Sequence, residues 1–160
     1  MEVREIMTRE VITAEPGMAL KEAAAVIVRR RLRAMPVIDD EGHVLGLLTD
    51  RQLMTHFLPQ LERARAGRPD VGFVTGSVRD IMERTVMCVN ESEPLADVVR
   101  LMLDKEIERL PVVREGQLVG FLTRGDIIRR LLRRDVAEMD SNNDTDIDTG
   151  IDADEETKGG

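Results

Sequence analysis

Two short phrases carry residue types that could do chemistry at a fixed spacing. Gly46–Leu53 reads GLLTDRQL and Gly120–Ile127 reads GFLTRGDI. In the second phrase Thr123 stands three residues before Asp126, and in the first Thr49 stands three before Gln52. A threonine ahead of a helix, with an acid or amide three residues on, is a capping box. The hydroxyl takes one backbone N–H and the later side chain another, worth about 1 kcal/mol. The same geometry permits recognition. A carboxylate at a helix mouth, beside a glycine-containing strand, can accept bonds from both hydroxyls of a ribose, and the helix N-terminus favours a nearby phosphate. Capping serves Asp and Gln alike, but gripping a diol favours the charged acceptor by roughly 1.5–3 kcal/mol. Asp126 is therefore the binding candidate, and Gln52 sets the first phrase apart.

The remaining reactive side chains assemble into nothing catalytic. His43 falls at a turn and His56 on a predicted helix, without metal-ligand spacing between them, and Cys88 is the single cysteine, which excludes an intrachain disulfide or an all-cysteine metal site. Cys88 alternates into a strand as a small core residue. No nucleophile has a base partner, so the expectation is a non-enzyme with no metal. Asp140–Asp148 resembles the start of a calcium loop. Thr145 and Ile151 stand where that loop needs Gly and Glu, and an acidic tail is the simpler reading.

The elements that position the two phrases are written twice. VREIM at Val3–Met7 returns as VRDIM at Val78–Met82, and MPVID at Met35–Asp39 returns as LPVVR at Leu110–Arg114, both 75 residues later. After the intervening turn the offset is 74, a one-residue deletion in a loop. In each copy a short strand (Glu10–Glu15, Thr85–Asn90) precedes a helix (ALKEAAAVIVRRRL, PLADVVRLMLDKEI). Pro94 suits the first helical turn. A buried strand with Pro at its start then pairs with the next strand through a turn, Glu115-Gly116 or the longer Asp40-Glu41-Gly42, which has room for a bulge. A second helix follows each Thr. The unit is β-α-β-β-α, twice, an α/β fold. Residues 1–60 form the first repeat, 61–77 an extended helix and linker, 78–134 the second repeat, and 135–160 a disordered acidic tail.

Charge follows this division. The tail holds ten acids and one Lys, whereas residues 1–134 hold 21 acids and 22 bases, so the net −8 describes the tail rather than the body. With no Trp or Tyr and three Phe, the core must be aliphatic. The clusters Arg29–Arg33 and Arg129–Arg134 each close a predicted helix, where basic residues meet the last carbonyls, and without aromatics for base stacking nucleic acid is not the expected partner. No signal-peptide core or membrane-length apolar run occurs, and a cytoplasmic location is expected.

VRDIM, the ERLPVV block, the REGQLVG hairpin and GFLTRGDI together resemble the cystathionine-β-synthase (CBS) domain, and the pair resembles a Bateman module, over roughly residues 1–134. The resemblance implies a sensor rather than a catalyst. It implies two repeats packed with pseudo-twofold symmetry, clefts between them that take AMP, ADP, ATP or S-adenosylmethionine, and flat homodimers acting on a separate partner protein. Mapped by motif, it makes Asp126 the ribose ligand beside Thr123. Arg109 and Arg33 lie near phosphates, and Phe121 and Ile12 supply apolar surface for adenine. Thr49, Gln52 and Met87 belong to a second cleft that departs from the pattern. An interaction scaffold that binds no small molecule, and an arginine-based nucleic-acid adaptor, are the alternatives.

Overall fold

The computed structural model describes residues 1–67 and 74–143. The chain opens with a 3-10 turn, Val3–Glu5, followed by helix α1 (Leu20–Arg30). Strands β1 (Ala34–Ile38) and β2 (Val44–Thr49) and helix α2 (Asp50–Arg65) complete the first repeat. The second repeat runs through α3 (Val78–Ile81), β3 (Val89–Asn90), α4 (Leu95–Asp104), β4 (Arg109–Arg114), β5 (Gln117–Thr123) and α5 (Arg124–Asn143). Strands β1 and β2 form an antiparallel hairpin, while β3, β4 and β5 form a three-stranded sheet in that order with β3 parallel to β4. This is the α/β pattern expected from two repeats.

The second hairpin turns on Glu115 (φ 50°) and Gly116 (φ 81°), both left-handed, as a two-residue turn matched to strand twist requires. Register shifts mark a bulge in both hairpins, between Val37 and Ile38 and between Val112 and Val113, rather than in the longer one alone. Pro36 and Pro111 lie mid-strand, not at the strand start. They cost the hairpins no bond. Their partners Leu47 and Phe121 turn their backbone groups away, to Glu83 and Thr8, so neither hairpin ladder calls for an N–H at the proline.

Four further expectations need correction. The predicted strand Glu10–Glu15 reduces to one parallel bridge, Ala14 to Val37. In the second repeat Glu91 N–H extends the ladder to the Val113 carbonyl at 3.1 Å, whereas the equivalent position is Pro16, which has no N–H to give. The strand predicted over Thr85–Asn90 likewise shortens to Val89–Asn90, leaving Cys88 just before it, half-buried, with burial pushing its thiol pKa up. Pro94 caps α4 from outside rather than sitting in its first turn. Finally, α5 continues to Asn143, nine residues into the predicted tail, so Arg129–Arg134 lies mid-helix; Ala137 and Glu138 are strong helix formers. The rest of the tail, residues 144–160, and the linker residues 68–73 lie outside the described residues.

The opening phrases of the repeats are exchanged. Val3 and Met7 are buried with Leu95, Val98, Leu110 and Leu122 of the second repeat, and Val78 and Met82 are buried with Leu20, Met35, Val37 and Leu48 of the first. Phe121 and Thr8 trade both backbone bonds at 2.9 Å, and Leu47 and Glu83 do the same. Gly120 and Gly46 permit this approach. A Cβ on Gly120 would come within 2.9 Å of Met7 Cγ, and one on Gly46 within 2.7 Å of the Glu83 carbonyl oxygen. The glycines beside the two phrases therefore serve the exchanged backbone. The hairpins also meet, through Leu118 N–H to the Gly42 carbonyl and Gln117 Nε2 to the Glu41 carbonyl, so the repeats are stitched at both ends of the sheets.

Candidate functional site

Both phrases form the expected capping boxes. Thr123 N–H donates to Asp126 Oδ2 at 3.1 Å and Asp126 N–H donates to Thr123 Oγ1 at 3.1 Å. In the first copy Thr49 N–H donates to Gln52 Oε1 at 2.9 Å, and Gln52 N–H reaches Thr49 Oγ1 at 3.4 Å. The local scaffold is thus the same, and the two differ by one carboxylate. Asp126 has an oxygen left over, and Oδ1 accepts from Arg129 Nη2 at 2.6 Å. Its side chain is 16 % exposed and that of Arg129 66 %, so the pair stands at a rim, with the carboxylate inside.

The cavity that Asp126 faces is a cleft of about 680 Å³ between the repeats, and it gathers Thr123, Phe121, Arg109, Arg33 and Ile12, all six residues singled out for one site. Each is brought by a different device. The start of α5 carries Thr123 and Asp126, and β5 ends on Phe121-Leu122-Thr123. Arg109 opens β4, paired with Thr123 across the hairpin. Arg33 is tied by its carbonyl, which accepts from Asp50 N–H at 3.0 Å. Ile12 lies on the extended stretch that replaces the expected strand, packing against the first repeat's core while it lines the cleft. Core and cleft roles thus coincide at this residue.

A second cleft of about 720 Å³ lies at the start of α2 and contains Thr49, Gln52 and Met87, the three residues of the departing site. Met87 is 41 % exposed there. Arg33, Glu108 and Arg109 line both cavities and form the ridge between them. Arg109 reaches Glu108 along that ridge, Nη2 to Oε2 at 3.4 Å.

Sequence reasoning missed Arg31, Arg124 and Arg129, which also line the first cleft. Arg31 is there because α1 ends in a left-handed residue. Its φ is 53°, and the next N–H, from Leu32, reaches back to the Ile27 carbonyl at 2.9 Å. Glu106 does the same after α4, at φ 55° with Ile107 N–H to the Met102 carbonyl at 2.9 Å, and lines the second cleft. A left-handed turn is ordinarily a glycine's, and costs a side-chain-bearing residue about 1–2 kcal/mol. It occurs at the matched position of both clefts, and neither Arg31 nor Glu106 is a residue type that announces such a turn in the sequence.

One metal-competent group occurs among the described residues. Asp39, Glu41 and His43 bring ligand atoms within 4.8 Å of one another at the tip of the first hairpin. The sequence reading placed no metal. Asp39 Oδ1 accepts the N–H groups of Glu41 and His43, both at 2.9 Å, and the His43 bond leads in holding its carboxyl below the usual range. These bonds close the five-residue turn. His56 lies on α2 away from this group, its Nε2 buried without a hydrogen-bond partner. No helix among the described residues is long and apolar enough to cross a membrane.

Comparison with known proteins matches residues 3–59 and 78–133 to the family model described as CBS domain. The CBS domain-containing protein YhcV of Bacillus subtilis is 30% identical over 125 residues, 78% of this chain and 81% of that protein. Uncharacterized protein MJ1225 of Methanocaldococcus jannaschii is 31% identical over 129 residues, 81% of this chain, and the match spans 42% of that relative's length. The structure of CBSX2 in complex with AMP, a protein of Arabidopsis thaliana, superposes with a TM-score of 0.69 at 28% identity, covering 84% of this chain and 98% of that one.

Proposed function

The chain belongs to the CBS domain family as a tandem pair, and on that premise we propose that it is a non-catalytic sensor whose first cleft takes an adenosine nucleotide. Asp126 accepts the two ribose hydroxyls, releasing Arg129 towards the phosphates. Phe121 and Ile12 flank the adenine. Arg33 and Arg109 meet the phosphates as planar, bidentate donors. The observation that carries the reading is the convergence of Asp126, Thr123, Phe121, Ile12 and both arginines on one cleft of about 680 Å³, a volume suited to a nucleotide. The AMP found with CBSX2 gives the ligand class a precedent in a relative of the same fold. Binding shifts a conformational equilibrium only by the difference in affinity between its states, so the cleft, which both repeats build, is where such a difference can arise.

A second copy of the chain completes the module. Met54, Leu58 and Leu61 on α2 are 72%, 55% and 56% exposed, at the spacing of one helix face. Ile128 and Leu132 on α5, 58% and 56% exposed, occupy the positions that the repeat makes equivalent to Met54 and Leu58. Two matched apolar stripes fit an isologous homodimer, with the regulated partner a separate cytoplasmic protein.

A thermal-shift panel of AMP, ADP, ATP, S-adenosylmethionine and NAD tests the reading. A bound ligand at 100 times its Kd adds about 2.7 kcal/mol of stability. A panel in which no adenosine compound moves the transition would leave the interaction scaffold as the function.

A further inference from the structure

The two clefts are built by the same fold on the same scaffold, so each is a control for the other. Their charges are not the same. The first is lined by five arginines against three carboxylates, Glu10, Glu108 and Asp126. The second has four cations, Arg33, Arg51, Lys105 and Arg109, against four carboxylates, Asp50, Glu83, Glu106 and Glu108. The difference arises at matched positions. Arg31 and Arg33 of the first repeat correspond to Glu106 and Glu108 of the second, Thr8 corresponds to Glu83, and Arg124 corresponds to Asp50. Arg31 and Glu106 sit on the same left-handed turn, so the reversal changes charge without changing backbone.

The ridge sharpens the contrast. Arg33 and Arg109 line both clefts, and a guanidinium that closes on a phosphate on one side is withdrawn from the other. With those two arginines engaged by the first cleft, the second keeps Arg51 and Lys105 against four carboxylates. A second phosphate tail would meet net negative charge there. A ribose would find the neutral carboxamide of Gln52, held by Thr49 in the same box, and the half-exposed Met87 as an apolar wall.

We infer that the clefts take ligands of opposite charge character: an anionic nucleotide in the first, and in the second an adenosine-type compound with no net negative charge, neutral or cationic, bound at the same time. The inference rests on the nucleotide reading of the first cleft. It makes the pair a reader of two chemically different adenosine compounds.

Calorimetric titration of the full chain tests it. AMP binds with one equivalent per chain. The AMP-saturated protein then takes one further equivalent of adenosine or S-adenosylmethionine. The double variant Asp50→Arg with Glu106→Arg, which installs the first cleft's charges in the second, gains a second AMP equivalent, with affinity about tenfold or more above any residual binding there. Two AMP equivalents of similar affinity in the unaltered protein would overturn the inference and leave the nucleotide reading standing. So would displacement of AMP by adenosine and S-adenosylmethionine alike, or the failure of both to add to the AMP complex. Failure of every compound to bind would remove both.

Discussion

Replacing Asp126 by Gln separates the two jobs its carboxylate can do, because the chain already contains the control. Gln52 makes the same capping box with Thr49, its Oε1 2.9 Å from the Thr49 N–H, so Asp126→Gln should keep the start of α5 intact. What the variant loses in the free protein is the bond to Arg129, whose side chain is 66% exposed, and an exposed pair contributes only about 0.2–1 kcal/mol. For a chain of this size that shifts the melting temperature by roughly 2–4 °C at most. The loss on binding should be larger. Hydrogen bonds from a diol to a carboxylate at a largely buried rim are worth roughly 1.5–3 kcal/mol, or about tenfold to a hundredfold in Kd for AMP. At an AMP concentration 100 times the original Kd, a hundredfold loss reduces the ligand's stabilisation from about 2.7 to about 0.4 kcal/mol. Calorimetric titration and unfolding without ligand read the two quantities separately. Unchanged AMP affinity would refute the ribose role. A fall of several kcal/mol in the free protein would show that the carboxylate is structural and that the box is not interchangeable.

Three other outcomes follow from the same structure. Gly120→Ala puts a methyl against Met7 Cγ and the Thr8 carbonyl oxygen, 2.9 and 3.1 Å away, and should lower the unfolding free energy by about 1–3 kcal/mol, read as a lower denaturant midpoint; an unchanged midpoint would mean that the exchanged segment does not sit against β5. Glu91 is buried and bonded by Arg114, whose hydrogen bond leads in holding its carboxyl below the ordinary glutamate value near 4.5. The stability tied to a depressed carboxyl is complete above that ordinary value and is lost as pH falls through the lower, folded value. Melting temperature should therefore drop below about pH 4.5, and Glu91→Gln should flatten that acid limb; an identical limb in the variant would assign it to other groups. Leu58→Arg combined with Leu132→Arg should convert a particle of twice the chain mass into one of the chain mass, measured by light scattering, and a mass that does not change would place the dimer contact elsewhere.

What could be read in the residues was whatever is local and repeated. The turn at Glu115-Gly116, the strands around Val37 and Val112 and the boxes at Thr49 and Thr123 each depend on neighbours within a few positions, so their signals are in contiguous letters. The exchange of Val3 and Met7 for Val78 and Met82 could not be read that way. An apolar residue at an exchanged position satisfies the same pattern whichever repeat it packs in. The lost strand at Glu10–Glu15 was legible in principle, because Pro16 removes the donor that Glu91 supplies, but its propensity outweighed that single letter. The site divides along the same line. Asp126 and Thr123 announce themselves by spacing, whereas Arg31, Arg124 and Arg129 reach the cleft only through a helix end and a helix face that tertiary packing sets.

The exchange also bears on how a ligand could act. Thr8 leads from Met7, buried in the second repeat, towards Ile12, which packs on the first, and this stretch lines the first cleft. Glu83 to Met87 makes the reciprocal crossing along the second cleft. Each cleft is therefore walled by the strap that ties one repeat's core to the other's. A ligand held between Asp126 on α5 and Arg33 before β1, as proposed, would press on both repeats and on the strap joining them. Filling a cleft should tighten the whole pair, with amide-exchange protection rising over Thr8–Ile12 as well as at the start of α5. Protection confined to α5 would mean that the repeats respond independently, and the straps would then be simple connections.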